Sequence, residues 1–180
     1  MNLVIVGAKR ARPEVIGIAY MGDGGGYAIG AQHLVNTAMR GDRITAILAN
    51  NTLYAMTGGQ LAPTTLPGQK TGTTPYGRDV EKTGSPLLGP ELVAAIAPKG
   101  TYVARGTVGD YNQLKRYLKK ALRNQLEGRG FSFVEVLSTC PTNWRTNAKE
   151  TWGFLQGEME RYFKVGELRV PELKDAEQEV

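Results

Sequence analysis

Cysteine is nearly missing from this chain. One residue, Cys140, among 180 excludes an internal disulfide and, taken alone, a metal site built of thiolates. Aromatic residues amount to 8%, and no RNP, zinc-finger or helix-turn-helix pattern accompanies the net charge of +5, so the basic balance is not read as nucleic-acid binding. No apolar run approaches the ~20 residues needed to cross a bilayer, so no membrane span is expected. The opening MNLVIVGAKRARPE has too short an apolar stretch, and its charges in the wrong order, for a secretory signal. Together these absences point to the cytoplasm. Most of the positive excess sits at Lys115, Arg116, Lys119, Lys120 and Arg123, which reads as a solvated helix face or a docking face for an acidic partner. What remains, 41% hydrophobic and 22% charged residues, is ordinary globular composition, enough for one domain around one core.

The pattern along the chain is that of an α/β protein. Val15 to Tyr20 is a short β-branched apolar run and predicts a buried strand. A glycine turn, Gly22 to Gly26, leads into a predicted helix from Tyr27 to Met39, with Gly41 as its stop signal. Ile44 to Ala49 predicts a second strand, and a strand–helix–strand unit of this length makes the two strands parallel. Residues 57–90 are rich in Gly, Pro and Thr without a period, and loops this long are usually functional or disordered. Beyond them come a short helix (Glu91 to Ala97), a strand (Tyr102 to Ala104) and a helix capped by Asp110 that runs to Leu126. Its apolar face is Tyr111, Leu114, Leu118, Ala121, Leu122 and Leu126. A strand (Phe131 to Leu137) and a last helix (Thr146 to Phe163) complete the set, before a charged tail over residues 166–180.

Two short motifs carry chemistry. Gly22-Asp23-Gly24 ends the first strand and Asn50-Asn51 ends the second. Mg²⁺ on a diphosphate wants hard oxygen ligands, and one carboxylate, one amide oxygen and one backbone carbonyl are a sensible protein share. Both motifs follow the C-terminal ends of parallel strands, where ligands of open α/β sheets bind. The glycines at 24, 25 and 26 let the backbone approach phosphate oxygens at a helix N-terminus. A Rossmann fingerprint fails in both registers, meeting Tyr27 or Ile29 at its last glycine, and no G-K-[ST] ends a P-loop. On these residues alone, a tight βα turn and an unrelated turn after a strand remain an alternative.

The surrounding blocks narrow the choice. NNTLYAMTGGQ (50–60), the following LAPTTLPGQKTGTTPYGRD, FVEVLSTCPTNW (133–144) and the strand before GDGGGYAIGAQH resemble the β subunit of 2-oxoacid:ferredoxin oxidoreductases, of the 2-oxoisovalerate or 2-oxoglutarate synthase type. The resemblance spans roughly residues 7–165. It implies a thiamine diphosphate-binding fold, a mostly parallel sheet flanked by helices, over residues 1–165 and shortened at the N-terminus. By position it implies that Asp23 and Asn51 are the side-chain Mg²⁺ ligands and that Leu53 gives the metal a backbone carbonyl. Gly22, Gly24, Gly25 and Tyr54 would line the cofactor, with Thr57, Gly58, Gly59 and Gln60 beside its thiazolium. His33 matches a histidine common at that point of the helix and is read as structural. The implied reaction is oxidative decarboxylation of a 2-oxoacid, with electrons passing through [4Fe–4S] clusters to ferredoxin and coenzyme A taking the acyl group. The implied partners are α and γ subunits, with or without a δ subunit.

The chain also departs from that family. The N-terminal segment with its C-P-x-C-G and H-G-R motifs is not in it, and Cys140 corresponds to the last of four cluster ligands. A [4Fe–4S] cluster takes about four thiolates, so the missing ones would come from another segment or chain. The activating glutamate of thiamine diphosphate enzymes is likewise expected from a partner subunit. Met56 and Gly58 stand where relatives with other substrates carry Asn and Lys, which favours an apolar branched-chain 2-oxoacid. Rival readings are a non-redox thiamine diphosphate decarboxylase or synthase, and a degenerate subunit kept for assembly. A plain dinucleotide-binding module ranks behind both.

Overall fold

The structure, a computed structural model, describes residues 2–171. Helix α1 (Asn2–Ala11) leads into β1 (Ile18–Gly22), a π-helical turn (Gly25–Ile29), α2 (Ala31–Arg40) and β2 (Thr45–Asn50). A small hairpin, β3 (Leu53–Tyr54) and β4 (Gln60–Leu61), opens the long loop, which contains the short α3 (Val80–Thr83). Then follow α4 (Gly89–Ile96), β5 (Tyr102–Thr107), α5 (Tyr111–Leu126), β6 (Ser132–Leu137) and α6 (Pro141–Trp144). The last elements are α7 (Ala148–Phe154), a second π-helical turn (Leu155–Met159), α8 (Glu160–Tyr162) and β7 (Gly166–Arg169).

The main sheet has the order β1-β2-β6-β5-β7, with β1, β2, β6 and β5 parallel and β7 antiparallel on the edge of β5. β5 and β6 are buried along their whole length, as strands covered on both faces must be. Ala19, Ala46, Leu48, Val103 and Phe133 face α1, α2 and α4 through Val6, Leu34, Ala38 and Val93. On the opposite face Ala104 and Val134 meet Tyr117 and Ala121 of α5. A third cluster, Leu66, Leu137, Leu155, Met159 and Phe163, packs the long loop onto the C-terminal helices.

Several expectations shift. The helix predicted from Tyr27 is interrupted at Gly30, whose N–H donates to the Gly25 carbonyl at 2.8 Å across a π-type turn. A Cβ at Gly30 would sit 2.5 Å from that same oxygen, so no other residue fits the turn. The helix predicted from Thr146 starts two residues later, at Ala148 behind an Asn147–Glu150 capping box, and is broken by its own π turn. On α5 the Asp110 cap is present, its carboxylate accepting from Gln113 N–H at 2.9 Å, but Tyr111 and Leu126 are exposed and not part of the apolar face. The polar Asn124 and Gln125 anchor that end instead. Gln125 bonds Gly17 through both its amide groups and reaches Thr45, while Asn124 reaches Gly100, Phe131 and Ser132. The tail expected from residue 166 begins as strand β7, because Gly166, Glu167 and Arg169 complete the open edge of β5. Residues 172–180 of that tail lie outside the described residues. The basic stripe of α5 lies in solvent, with Lys120 paired to Glu167 at 2.8 Å.

Candidate functional site

Asp23 and Asn51 follow directly on neighbouring parallel strands. Gly22 of β1 pairs in register with Ala49 of β2, so the two motifs emerge side by side at the C-terminal edge of the sheet. Asp23 is buried. One carboxylate oxygen accepts from its neighbour Gly24 N–H at 2.9 Å, the other from the Thr64 hydroxyl. Burial pushes its pKa up to about 6, against the pull of those two donors, and the nearby Glu135 adds to the rise. No Lys or Arg side chain pairs with it among the described residues. Beside it, Asn51 Oδ1 is buried and accepts no hydrogen bond among the described residues. An orphaned amide oxygen next to an unneutralised buried carboxylate is the donor set a hard divalent ion uses. The residues present therefore fit Mg²⁺. The Asn51 backbone carbonyl is already taken, by Thr52 Oγ1 at 2.7 Å and Trp144 Nε1 at 3.0 Å, leaving the side-chain oxygen as the free one.

The corner is held by strain and by the loop beneath it. Thr52 has φ of 64°, a left-handed conformation costing a β-branched residue about 1–3 kcal/mol. Its N–H donates to Asn50 Oδ1 at 3.0 Å, its carbonyl accepts from Thr65 Oγ1, and its hydroxyl accepts from Gln69 Nε2 at 2.7 Å. Thr64, Thr65 and Gln69 come from the Pro/Thr-rich stretch, which is ordered by Arg78. That buried guanidinium donates to the carbonyls of Pro63, Thr65 and Gly84. The aperiodic segment is thus the floor of the site.

A buried charge network lies under the two strand ends. Glu135 and Arg105 are in-register partners on β6 and β5, both fully buried and ion-paired, and Arg105 also forks onto Glu91 at 2.7 and 2.8 Å. Glu135 further accepts from the Tyr27 hydroxyl at 2.7 Å and from Asn50 Nδ2 at 3.3 Å. Burial pushes the Glu135 carboxyl up and Arg105 pulls it back; with guanidinium, phenol and amide all donating to it, the geometry is that of a carboxylate. Burial beside Glu135 also holds the Tyr27 phenol protonated, hence a donor.

The structure gathers most of the expected residues. Gly24 is pressed under the Tyr54 ring, whose hydroxyl donates to the Gly24 carbonyl at 3.2 Å. Gly25 is open, and a Cβ there would meet nothing within 4 Å, which leaves room over the turn for a ligand. Gly22 is exposed at the strand end. The Leu53 side chain is buried in the hairpin, leaving only backbone to offer. Thr57 and Gln60 close the next loop on each other at 2.6 and 2.7 Å, around Gly58 and Gly59. Cys140 caps α6 half-buried, and Asn143 next to it donates to the Ala55 carbonyl at 3.0 Å, so the cysteine loop abuts the Asn51–Gly59 loop. Met56, by contrast, is 99% exposed, and Gly58 is exposed as well; neither is brought to the Asp23–Asn51 corner by this chain. His33 is half-buried on α2 and makes no side-chain hydrogen bond among the described residues. Sequence reasoning missed Thr64, Thr65, Gln69, Arg78, Tyr27, Glu135 and Arg105. The last two were signalled by a lone acid in FSFVEVL and a lone base in YVARGT, opposite charges in strands otherwise without any.

A cavity of about 370 Å³ at the other end of the sheet is basic, but its Arg10 and Arg40 are spent on Asp42 and its Lys9 on the carbonyls of Pro13 and Val15. Its carboxylate, Asp42, is already neutralised by those two arginines, unlike Asp23 at the opposite edge.

Gly24→Ala would place a Cβ 2.3 Å from the Tyr54 ring. The ring can clear it only by leaving the turn, so the variant is expected to lose the Tyr54–Gly24 hydrogen bond and about 1 kcal/mol or more of stability; urea unfolding measures this, and parent-like stability would mean that the ring moves aside without cost.

Residues 4–136 match the family model described as thiamine pyrophosphate enzyme, C-terminal TPP binding domain. The chain is 42% identical over 167 residues to the ketoisovalerate oxidoreductase subunit VorA of Methanothermobacter thermautotrophicus, covering 91% of this chain and 35% of that protein. It is 45% identical over 139 residues to the 2-oxoglutarate synthase subunit KorB of Archaeoglobus fulgidus, covering 77% and 48% respectively. Among solved structures, a 2-oxoglutarate:ferredoxin oxidoreductase from Magnetococcus marinus with 2-oxoglutarate, coenzyme A and succinyl-CoA bound superimposes with a TM-score of 0.67 at 28% identity, over 87% of this chain and 49% of that one. The chain thus spans half or less of each of these relatives.

Proposed function

The chain belongs to the thiamine pyrophosphate enzymes, among the β subunits of the 2-oxoacid:ferredoxin oxidoreductases, and from that premise we propose that it forms the metal-holding half of a thiamine diphosphate site. The observation that carries the reading is the pair of buried side-chain oxygens at one sheet edge, the Asp23 carboxylate paired with no Lys or Arg and Asn51 Oδ1 accepting no hydrogen bond among the described residues. Asp23, Asn51 and the Leu53 carbonyl hold Mg²⁺; Gly22, Gly24 and Gly25 give the diphosphate its close approach; Tyr54 braces the turn. When bound, thiamine diphosphate supplies the electron sink for decarboxylating a 2-oxoacid, while the protein supplies orientation and electrostatics. Thr57, Gly58, Gly59 and Gln60 form the loop beside the reacting end. The activating glutamate comes from another subunit. Three large apolar side chains on segments that build the corner, Ile29, Met56 and Tyr76, stand 83%, 99% and 98% exposed, which supports a covering partner surface.

In the assembled enzyme, α and γ subunits, with or without a δ subunit, complete the site, coenzyme A takes the acyl group and ferredoxin the electrons. Cys140 contributes one ligand to a [4Fe–4S] cluster whose other cysteines lie elsewhere. The substrate is an apolar branched-chain 2-oxoacid, because Met56 and Gly58 place no cation on the loop. One missing charge-assisted hydrogen bond is worth about 1.5–3 kcal/mol against a substrate with a distal carboxylate. Faster turnover of 2-oxoglutarate than of 2-oxoisovalerate, by kcat/KM, would reverse that preference.

Calorimetry decides the main reading: binding of thiamine diphosphate is expected and should require Mg²⁺. A chain that binds neither, alone or with its partners, is an assembly subunit. The single cysteine favours a second reading, a non-redox thiamine diphosphate enzyme. Iron and sulfide analysis of the purified complex separates the two.

A further inference from the structure

Asp23 and Asn51 stand on different loops, and a metal clasp works only if the two loops keep a fixed relation. They share one anchor. Glu135 Oε1 accepts both from Tyr27, in the turn that follows Asp23, and from Asn50, the residue before Asn51, at 2.7 and 3.3 Å. Asn50 passes the constraint onward, since its Oδ1 takes the Thr52 N–H at 3.0 Å and so holds the left-handed turn directly after Asn51. Glu135 is fixed in turn through its other oxygen by Arg105, which is itself held by the fork to Glu91. A carboxylate that merely neutralised Arg105 would need no donor from either site loop; this one gives a single oxygen to both.

We propose that Glu135 is a positioning residue for the Mg²⁺–diphosphate clasp, setting Asp23 and Asn51 against each other through Tyr27 and Asn50 while touching neither metal nor cofactor. The inference rests on the thiamine diphosphate reading above. Partners bonded directly to metal ligands typically carry 10–100-fold of the metal's affinity, and Glu135, acting one residue further out through Tyr27 and Asn50, belongs at the lower end of that range.

The test is calorimetric titration of thiamine diphosphate at saturating Mg²⁺ into the full chain and into E135Q, Y27F and the double variant. Y27F is the gentle probe, because its ring keeps the edge-on packing against Phe133 at 6.3 Å and only the hydroxyl is removed. Expected are a rise in Kd of about 3–10-fold for Y27F and of about tenfold or more for E135Q. The double variant should show clearly less than the product of the two, since both act on one oxygen. In the assembled enzyme the deficit should appear in the cofactor concentration for half-maximal rate, with kcat at saturation kept; a packing defect alone would not split that way. Parent-like Kd in Y27F and E135Q, or effects that simply multiply, overturns the shared anchor. Should E135Q fail to fold, Y27F alone decides: a raised Kd at a parent-like thermal midpoint supports the proposal and an unchanged Kd defeats it. A parent that binds no thiamine diphosphate, either as the chain alone or in the assembled enzyme, removes the underlying reading, and this inference with it, whereas a parent that binds as its variants do removes only the role of Glu135.

Discussion

Asp23→Asn should lower the affinity for Mg²⁺–thiamine diphosphate by at least about 100-fold, since loss of partners merely adjacent to a metal already costs 10–100-fold, and at the same time make the cofactor-free chain more stable. The two effects have one origin. The Asp23 carboxyl is buried, and its pKa lies near 6 against an ordinary 3.8. A carboxyl whose folded pKa is raised binds its proton more readily when folded. Its contribution to stability is therefore full below about pH 4 and is lost as pH rises through about 6, at most about 3 kcal/mol for a shift of this size. Asn carries no charge to bury and still offers an oxygen to Thr64. In the presence of a chelator, the parent should lose stability from pH 4 to 7 relative to the variant, and urea unfolding at both ends of that range measures the gap. Added Mg²⁺ and cofactor should reverse the order at pH 7, because only the parent gains from them. A variant no more stable than the parent at pH 7 would mean that the corner already neutralises Asp23 without a metal.

How much of this was legible beforehand depended on sequence distance. The βαβ unit around Asp23 and Asn51 could be read because all of its signals are local: an apolar run, a glycine turn, a second apolar run and a strand-end amide within Val15 to Asn51. The Asp110 cap was legible for the same reason, its bond reaching only to Gln113. Strand β7 was not, since GELR has no apolar alternation and becomes a strand only by meeting the edge of β5. Nor was the interruption of the first helix, because Gly30 is compatible with a helix until the Gly25 carbonyl is placed against it. The floor of the site was hidden by its composition. Thr64, Thr65 and Gln69 look like generic loop residues, and only Arg78, gathering carbonyls from Pro63 to Gly84, turns that stretch into a fixed surface.

Arg105→Met should be the most destabilising single change in the sheet, by about 3–5 kcal/mol, the usual result of leaving one partner of a buried ion pair behind. Arg105 is fully buried and its removal strands Glu135, which has no route to water, while Glu91, with its side chain 39% exposed, can rehydrate. The guanidinium also lies over the Phe163 ring at 5.3 Å, and the Met side chain keeps that contact without the charge. Replacing both partners, Arg105→Met with Glu135→Leu, should recover part of the loss, since the stranded charge is gone while the buried Tyr27 hydroxyl and Asn50 amide still lose their acceptor. Thermal unfolding of the parent and the two variants tests the order: the single variant lowest, the double variant recovering toward the parent. If Glu135 served the core alone, the double variant would also bind Mg²⁺–thiamine diphosphate as the parent does. With Tyr27 and Asn50 deprived of their common acceptor, it should instead be stable and bind weakly. A stable double variant with parent-like affinity would reduce the network to an ion pair of the core, while stability restored without affinity would separate what the Arg105–Glu135 pair does for the fold from what Glu135 does for the site.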